Sequence, residues 1–439
     1  MTDFRLTPAD RTLLVNPFRV MNVLERARQL QASGRDIIHL EVGEPDFSTA
    51  QPIVDAGMDA LKAGNTAYTP AAGLPELRER IAGFYQQHHG VNLDPSRILV
   101  TPGASGALVL LSNVLLNPGD TVLMPDPAYP CNRNYVHLAG ARARLIPPDM
   151  PGAAAPSVEQ LDAAFDESVK GLWLASPANP TGAVISHTHM QALAQWADSR
   201  QVHLMVDEIY QGLDFSVPAA LSRPMGDLPS ALSLGGNAIV INSFSKYFGM
   251  TGWRLGWIVV PEYLVKTANI LAQNLFISAP TVSQLAALRA FDPDVIDILE
   301  QRRNAFRQRR DYLARSLTSL GFELPWQPQG AFYCYADISR FSDDCEDFCH
   351  QLLENHGIAV TPGSDFGEHQ ARTICQICLY KCFTTPAAGH GATGSGISVA
   401  DCQIRPSLVM SASSTIRKPL PITNGMARKD LPRQGPCIH

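Results

Sequence analysis

The chain predicts an α/β protein: a large domain built on a mostly parallel sheet covered on both faces, followed by a smaller α+β domain. Two observations carry this. Between about residues 97 and 260, short runs rich in Val, Ile and Leu alternate with helical stretches, the signature of crossover units in a parallel sheet. From about Asp292 the pattern changes to one long charged helix and then a short mixed unit.

The predicted strands are Arg97–Thr101, Thr121–Met124, Gly171–Ala175, His203–Val206, Ala238–Asn242 and Leu255–Val260. Each is a four- to six-residue apolar run bounded by turn residues, as in strands buried on both faces. Ala107–Leu116 is apolar but far shorter than the ~20 residues of a spanning helix, so it reads as a buried helix. Leu299–Asp311 carries a dense charge run and reads as a solvated helix face. Gly330–Ala336 supplies a strand of the smaller unit.

Composition bounds the function. The 439 residues suffice for two sizeable cores, and 45% hydrophobic with 17% charged residues describes an ordinary soluble globular chain. A net charge of −6 argues against nucleic acid as a bulk partner. The N-terminus lacks the basic-then-apolar order of a signal peptide. Nine irregularly spaced cysteines, an odd number, suit reduced thiols in the cytoplasm rather than a disulfide framework.

Chemistry concentrates just after the strands, where ligands of open α/β sheets bind. After Ala238–Asn242 comes Ser243-Phe-Ser245-Lys246-Tyr-Phe-Gly-Met-Thr-Gly-Trp-Arg254. A partly desolvated Lys246 amine is a nucleophile toward a carbonyl. Ser243, Ser245 and the fork of Arg254 suit a phosphate dianion. An aldehyde-capturing lysine beside a phosphate cradle describes a site for pyridoxal 5'-phosphate (PLP). The plain alternative is a surface loop holding one Lys and one Arg. Asp207, after a buried strand, needs a cationic partner; a protonated pyridine nitrogen would be one, and a helix cap is the alternative. Gly103, Ala104 and Ser105 open a helix, where small residues let backbone N–H groups approach a phosphate, although an ordinary tight turn reads equally well there.

Position by position, the stretch from Ser243 to Gly256 resembles the PLP-lysine signature of the class I/II (fold type I) aminotransferases, and the likeness extends over roughly residues 10 to 373. The resemblance implies further roles. Asn179, in Ser176-Pro-Ala-Asn-Pro-Thr-Gly182, and Tyr210 would hydrogen-bond the cofactor's phenolic oxygen. Tyr129, in Pro125-Asp-Pro-Ala-Tyr129, would stack on the pyridine ring. Tyr68 would reach the phosphate of the neighbouring subunit, and the backbone of Gly43 would meet the substrate carboxylate together with Asn179. It also implies catalysis by Lys246, Asp207 and Tyr210: ping-pong transamination between an L-amino acid and a 2-oxoacid through a Lys246 Schiff base, in a homodimer with shared sites. The absence of an extra Arg or Lys around Gln273–Pro280 and Gly103–Gly106 favours neutral or hydrophobic amino acids over aspartate. Alternatives are a C–S lyase (β-elimination) on the same scaffold, or a non-catalytic PLP-binding protein. The implied domains are an N-terminal arm and part of the small domain at 1–48, a large PLP-binding domain at 49–290 and a small domain at 291–373.

Residues 374–439 depart from this pattern. The resemblance leads one to expect a short strand carrying the arginine that clamps the substrate carboxylate; Ile374-Cys-Gln-Ile-Cys-Leu-Tyr-Lys381 stands there instead, with no arginine before Arg405. Five of the nine cysteines lie in this tail, and Ser/Gly/Pro-rich sequence replaces the closing amphipathic helix. Reading the last two bases of each codon with the first of the next permits Tyr-Val-Arg-Phe-Ala-Tyr-Thr from codon 374, and the Gln376–Ile377 pair then yields only Arg or Lys. A frameshift near codon 373 explains this, and the tail is expected to be aberrant and disordered. A metal site at Cys375, Cys378 and Cys382 is a weaker reading, since only His390 offers a fourth ligand.

Overall fold

The computed structural model of the chain describes residues 7–235 and 237–379. A seven-stranded sheet forms its centre. In chain order its strands are β2 (Ile98–Thr101), β3 (Thr121–Pro125), β4 (Arg142–Ile146), β5 (Val169–Ala175), β6 (His203–Asp207), β7 (Ile239–Ser243) and β8 (Gly256–Val259). Their spatial order is β2-β8-β7-β6-β5-β3-β4. The pairs from β7 to β4 are parallel, while β8 runs antiparallel to both β2 and β7. All six predicted strands are present within a residue or two. Strand β4 escaped the sequence because Arg142-Ala-Arg-Leu-Ile146 is an edge strand with an exposed first residue, so it lacks the apolar run of a central strand.

Alternation along the strands feeds two cores. Leu172, Leu174, Val206 and Val240 face one side, packed with Ile53, Leu77 and Trp196. Trp173, Met205, Ile239 and Ile258 face the other, against Leu108 and Leu111 of α4 (Gly103–Leu115) and Ala268 and Ala272 of α8 (Glu262–Leu275). Burial on both faces is why these strands read as continuous apolar runs.

The smaller unit holds a second sheet, in the order β11 (Thr361–Pro362), β12 (Ile374–Cys378), β9 (Tyr333–Asp337), with antiparallel pairing. The N-terminal strand β1 (Ile38–His39) pairs in parallel with β10 (Ile358–Ala359), so residues before the large sheet join the far end of the chain. Strand β12 corrects the expectation that the fold is lost from residue 374. All five of its residues are buried, and they register from Ile374↔Asp337 to Cys378↔Tyr333. Ile and Cys are small and apolar enough to fill the place between β11 and β9, whatever frame produced them. The remaining tail features, including Cys382, His390 and Arg405, lie outside the described residues.

A second correction concerns α10 (Pro293–Leu320). Its charge run is not a solvated face: Arg303 and Arg307 are only 2% and 8% exposed. Arg303 donates to the carbonyls of Asp214 and Arg223, to Ser222 Oγ and to Glu300. Arg309 pairs with Asp46 at 2.8 Å and lies over the Phe47 ring. A helix that fastens irregular segments needs long donors to satisfy their carbonyls, and sequence alone cannot distinguish that face from a wet one.

Candidate active site

The carboxyl ends of β5, β6 and β7, the start of α4 and the strand β12 surround one cavity of about 220 Å³. Its lining includes Gly43, Ala104, Ser105, Tyr129, Asn179, Asp207, Tyr210, Ser243, Ser245, Lys246 and Arg254, so most residues singled out in the sequence converge here. Tyr68 does not: it is 79% exposed and outside this lining.

Asp207 ends β6, with Oδ1 accepting the Ile209 N–H at 3.1 Å. Burial pushes its carboxyl up to about 7, held back by that N–H and by the Lys246 amine. Lys246, just past β7, donates to the carbonyl of Gly43 at 2.7 Å. Burial lowers its amine to about 8, opposed by the charge of Glu44. Burial thus shifts both groups toward their neutral forms.

The donors suited to a phosphate sit together in one corner of the site. The Ser243 hydroxyl donates to Ser245 Oγ at 3.0 Å and accepts the Ser245 N–H. Arg254 takes a left-handed backbone, φ 53°, and its Nη1 donates to Thr251 O. A Cβ on Gly103 would lie 2.7 Å from Arg254 Nη2, and one on Gly256 would lie 3.0 Å from the Ala104 nitrogen. The two glycines thus let the guanidinium, the hydroxyls and the start of α4 close on one place. Since α4 has no side-chain cap, its first N–H groups remain available to an anion. Buried Asp207 offers the partner a pyridinium needs, Lys246 the amine, and this corner the dianion's donors; the residues fit PLP.

The structure adds three groups that the sequence did not mark, Tyr333, Phe18 and Glu41, and gives Gln376 a partner. Tyr333 on β9 brings its hydroxyl to 2.5 Å from that of Tyr210, and a Cβ on Gly43 would collide with its ring. Phe18 meets the Tyr129 ring edge-on at 5.9 Å. Gln376, 3% exposed on β12, donates from Nε2 to Asn179 Oδ1 at 2.9 Å. Glu41 lines the cavity with no exposed surface. Tyr333 and Phe18 come from distant segments, so no local spacing could have pointed to them.

A doubly covered, mostly parallel sheet with a lysine, a carboxylate and a phosphate corner at its strand ends defines a fold type I PLP-dependent enzyme. The family model for "Aminotransferase class I and II" matches residues 35–380, and the chain belongs to that family, whose members use PLP for transamination. It is 37% identical over 363 residues to a valine–pyruvate aminotransferase of Mycobacterium tuberculosis, covering 83% of this chain and 92% of that one. It is 35% identical over 360 residues to a (5-formylfuran-3-yl)methyl phosphate transaminase of Methanocaldococcus jannaschii, covering 81% and 90%. Among solved structures, an aminotransferase from Mycobacterium tuberculosis superposes with a TM-score of 0.82 at 34% identity, covering 94% of this chain and 98% of the other.

Proposed function

We propose that this chain transfers an amino group from a neutral L-amino acid to a small 2-oxoacid, with Lys246 as the catalytic base. The observation that carries the reading is the convergence of Lys246, Asp207 and Arg254 on one cavity. The relative named for valine and pyruvate supports the neutral donor. So does the lining, which among the described residues offers no cation beyond Lys246 and Arg254. PLP, when bound, supplies the carbonyl that captures the amine and the ring that delocalises the developing negative charge.

The chain's own residues do the rest. Lys246 would hold PLP through its amine and would serve the substrate's α-carbon as proton base and then acid. Asp207 would pair with the pyridine nitrogen and keep it protonated. Tyr210 and Asn179 would hydrogen-bond the phenolic oxygen, with Tyr333 fixing the Tyr210 hydroxyl. Tyr129 would cover the ring. Gly103, Ala104, Ser105, Ser243, Ser245 and Arg254 would hold the phosphate, and Gly43 and Asn179 would receive the substrate carboxylate.

The reading includes a cytoplasmic homodimer. Tyr68 is exposed on a loop that Thr281 ties down through the Ala67 carbonyl, which supports a contact with a neighbouring subunit rather than with its own cavity. The six described cysteines are free, which supports a reducing compartment, and no described helix is long and apolar enough to cross a membrane. We also read position 376 as the site of a cation lost by a change of frame. The coding DNA across codons 366 to 402 tests this: a shifted frame giving an arginine-bearing strand and a helix supports it, and a nonsensical shifted frame removes it.

Substituting Lys246→Ala is expected to lower the rate of amino transfer at least 100-fold while the protein still binds PLP. Turnover unchanged in single-turnover absorbance measurements would sink the role given to Lys246.

A further inference from the structure

Among the described residues that line this cavity, Glu41 is the ionisable group that the reaction leaves unused. It has no exposed surface. Its Oε1 meets His39 Nδ1 at 2.7 Å, but its Oε2 is buried with no hydrogen-bond partner. A buried carboxylate oxygen without a donor is costly, and such atoms are rare unless something else is meant to satisfy them. The two cations of the lining are engaged elsewhere: Lys246 donates to Gly43 O, and Arg254 to Thr251 O. The segment that holds Glu41 runs beside β12. Cys378 donates its N–H to Leu40 O at 2.8 Å, and Thr361, whose strand partner is Gln376, donates its hydroxyl to Glu41 O at 3.0 Å. Gln376 and Cys378 are two apart and so share one face of β12. The Glu41 charge also bears on Cys378, helping to hold its thiol well above the usual range after burial has raised it.

We infer that Glu41 is the buried counter-ion of a cation-accepting place beside β12, which a guanidinium or ammonium at residue 376 fills and which Gln376 leaves short of charge. Gln376 spends its amide donors on Asn179 Oδ1 and Pro180 O, so it does not answer the carboxylate. Glu41 thereby becomes a positioning residue: it would steer a side-chain cation at 376, or attract a small one from solution. The inference rests on the reading of position 376 as a lost cation, yet it needs no cofactor to be tested.

The test is thermal unfolding of the cofactor-free full chain as wild type, Q376R, E41Q and the double variant. Q376R is expected to raise Tm by on the order of 2 °C in the wild-type background and to lose that gain when Glu41 is neutralised. An equal effect of Q376R in both backgrounds overturns the inference. Should Q376R fail to fold, methylguanidinium chloride is titrated against wild type and E41Q, with tetramethylammonium chloride at the same ionic strength as control. A Tm difference between wild type and E41Q that grows with methylguanidinium alone supports the place; parallel curves overturn it. K246A should keep the coupling while abolishing amino transfer, so the two readings fail separately.

Discussion

At position 376 an amide does the work of a geometric neighbour but not of a charge. Gln376 reaches Asn179 at 2.9 Å, and on the proposed reading a substrate carboxylate would meet an amide there and no guanidinium. Truncating one partner of a buried charge pair costs roughly 2–5 kcal/mol, or about 30- to several-thousand-fold in rate constant. Q376R is therefore expected to raise kcat/KM for L-amino acids by a factor in that range, and to raise it far less for amines that lack a carboxylate. Steady-state kinetics with L-valine and isobutylamine check this; equal gains for both substrates would show that the new charge acts on something other than the carboxylate.

Helix α10 is the element whose role changed most between sequence and structure. Arg303, 2% exposed, satisfies two carbonyls and the Ser222 hydroxyl, and approaches Asp214 at 3.8 Å. Those partners lie in the 213–228 stretch that follows Tyr210, so the arginine fastens the segment leaving the site. Removing it strands buried carbonyls and a carboxylate, and Arg303→Ala is expected to cost about 3–5 kcal/mol of stability. Urea unfolding of the cofactor-free protein measures this. A loss below about 1 kcal/mol, the level of exposed ion pairs, would mean that water replaces the arginine.

For the whole molecule, burial at the site makes stability depend on pH. Asp207 and Glu208 have folded values raised to about 7 and about 8 from ordinary ones of 3.8 and 4.5, in both cases chiefly by burial. A raised value means that their contribution is full below about pH 4 and lost as pH rises through 7 to 8. Lys246, lowered from 10.5 to about 8, contributes fully only above about pH 10 and loses that contribution as pH falls through 8. Between pH 5 and 8 the two carboxyls therefore dominate the change. Their share of Tm in the cofactor-free protein should fall over this range, and the fall should be smaller in Asp207→Asn. If Asp207 and Lys246 hold PLP as proposed, its addition should raise Tm more at pH 8 than at pH 5. Calorimetry across that range decides the matter. At the same scale, light scattering should return twice the chain mass of 47.7 kDa, and a monomeric value would remove Tyr68 from the site.

Much of this protein was legible along the chain because its chemistry follows its strands. Six of the seven strands in the large sheet announce themselves as apolar runs, since burial on both faces leaves no place for polar residues. Lys246, Asp207 and Arg254 sit within a few residues of those strand ends, so local order sufficed to find them. Edge strand β4 was missed because one exposed side dilutes its pattern, and the buried arginines of α10 look in sequence like any wet helix. Tyr333, Phe18, Glu41 and the hydrogen bond from Gln376 to Asn179 were decided by tertiary structure alone. Each joins segments far apart in the chain, and which side chains meet across such distances depends on the register of β9, β12 and the N-terminal segment, which no local pattern encodes.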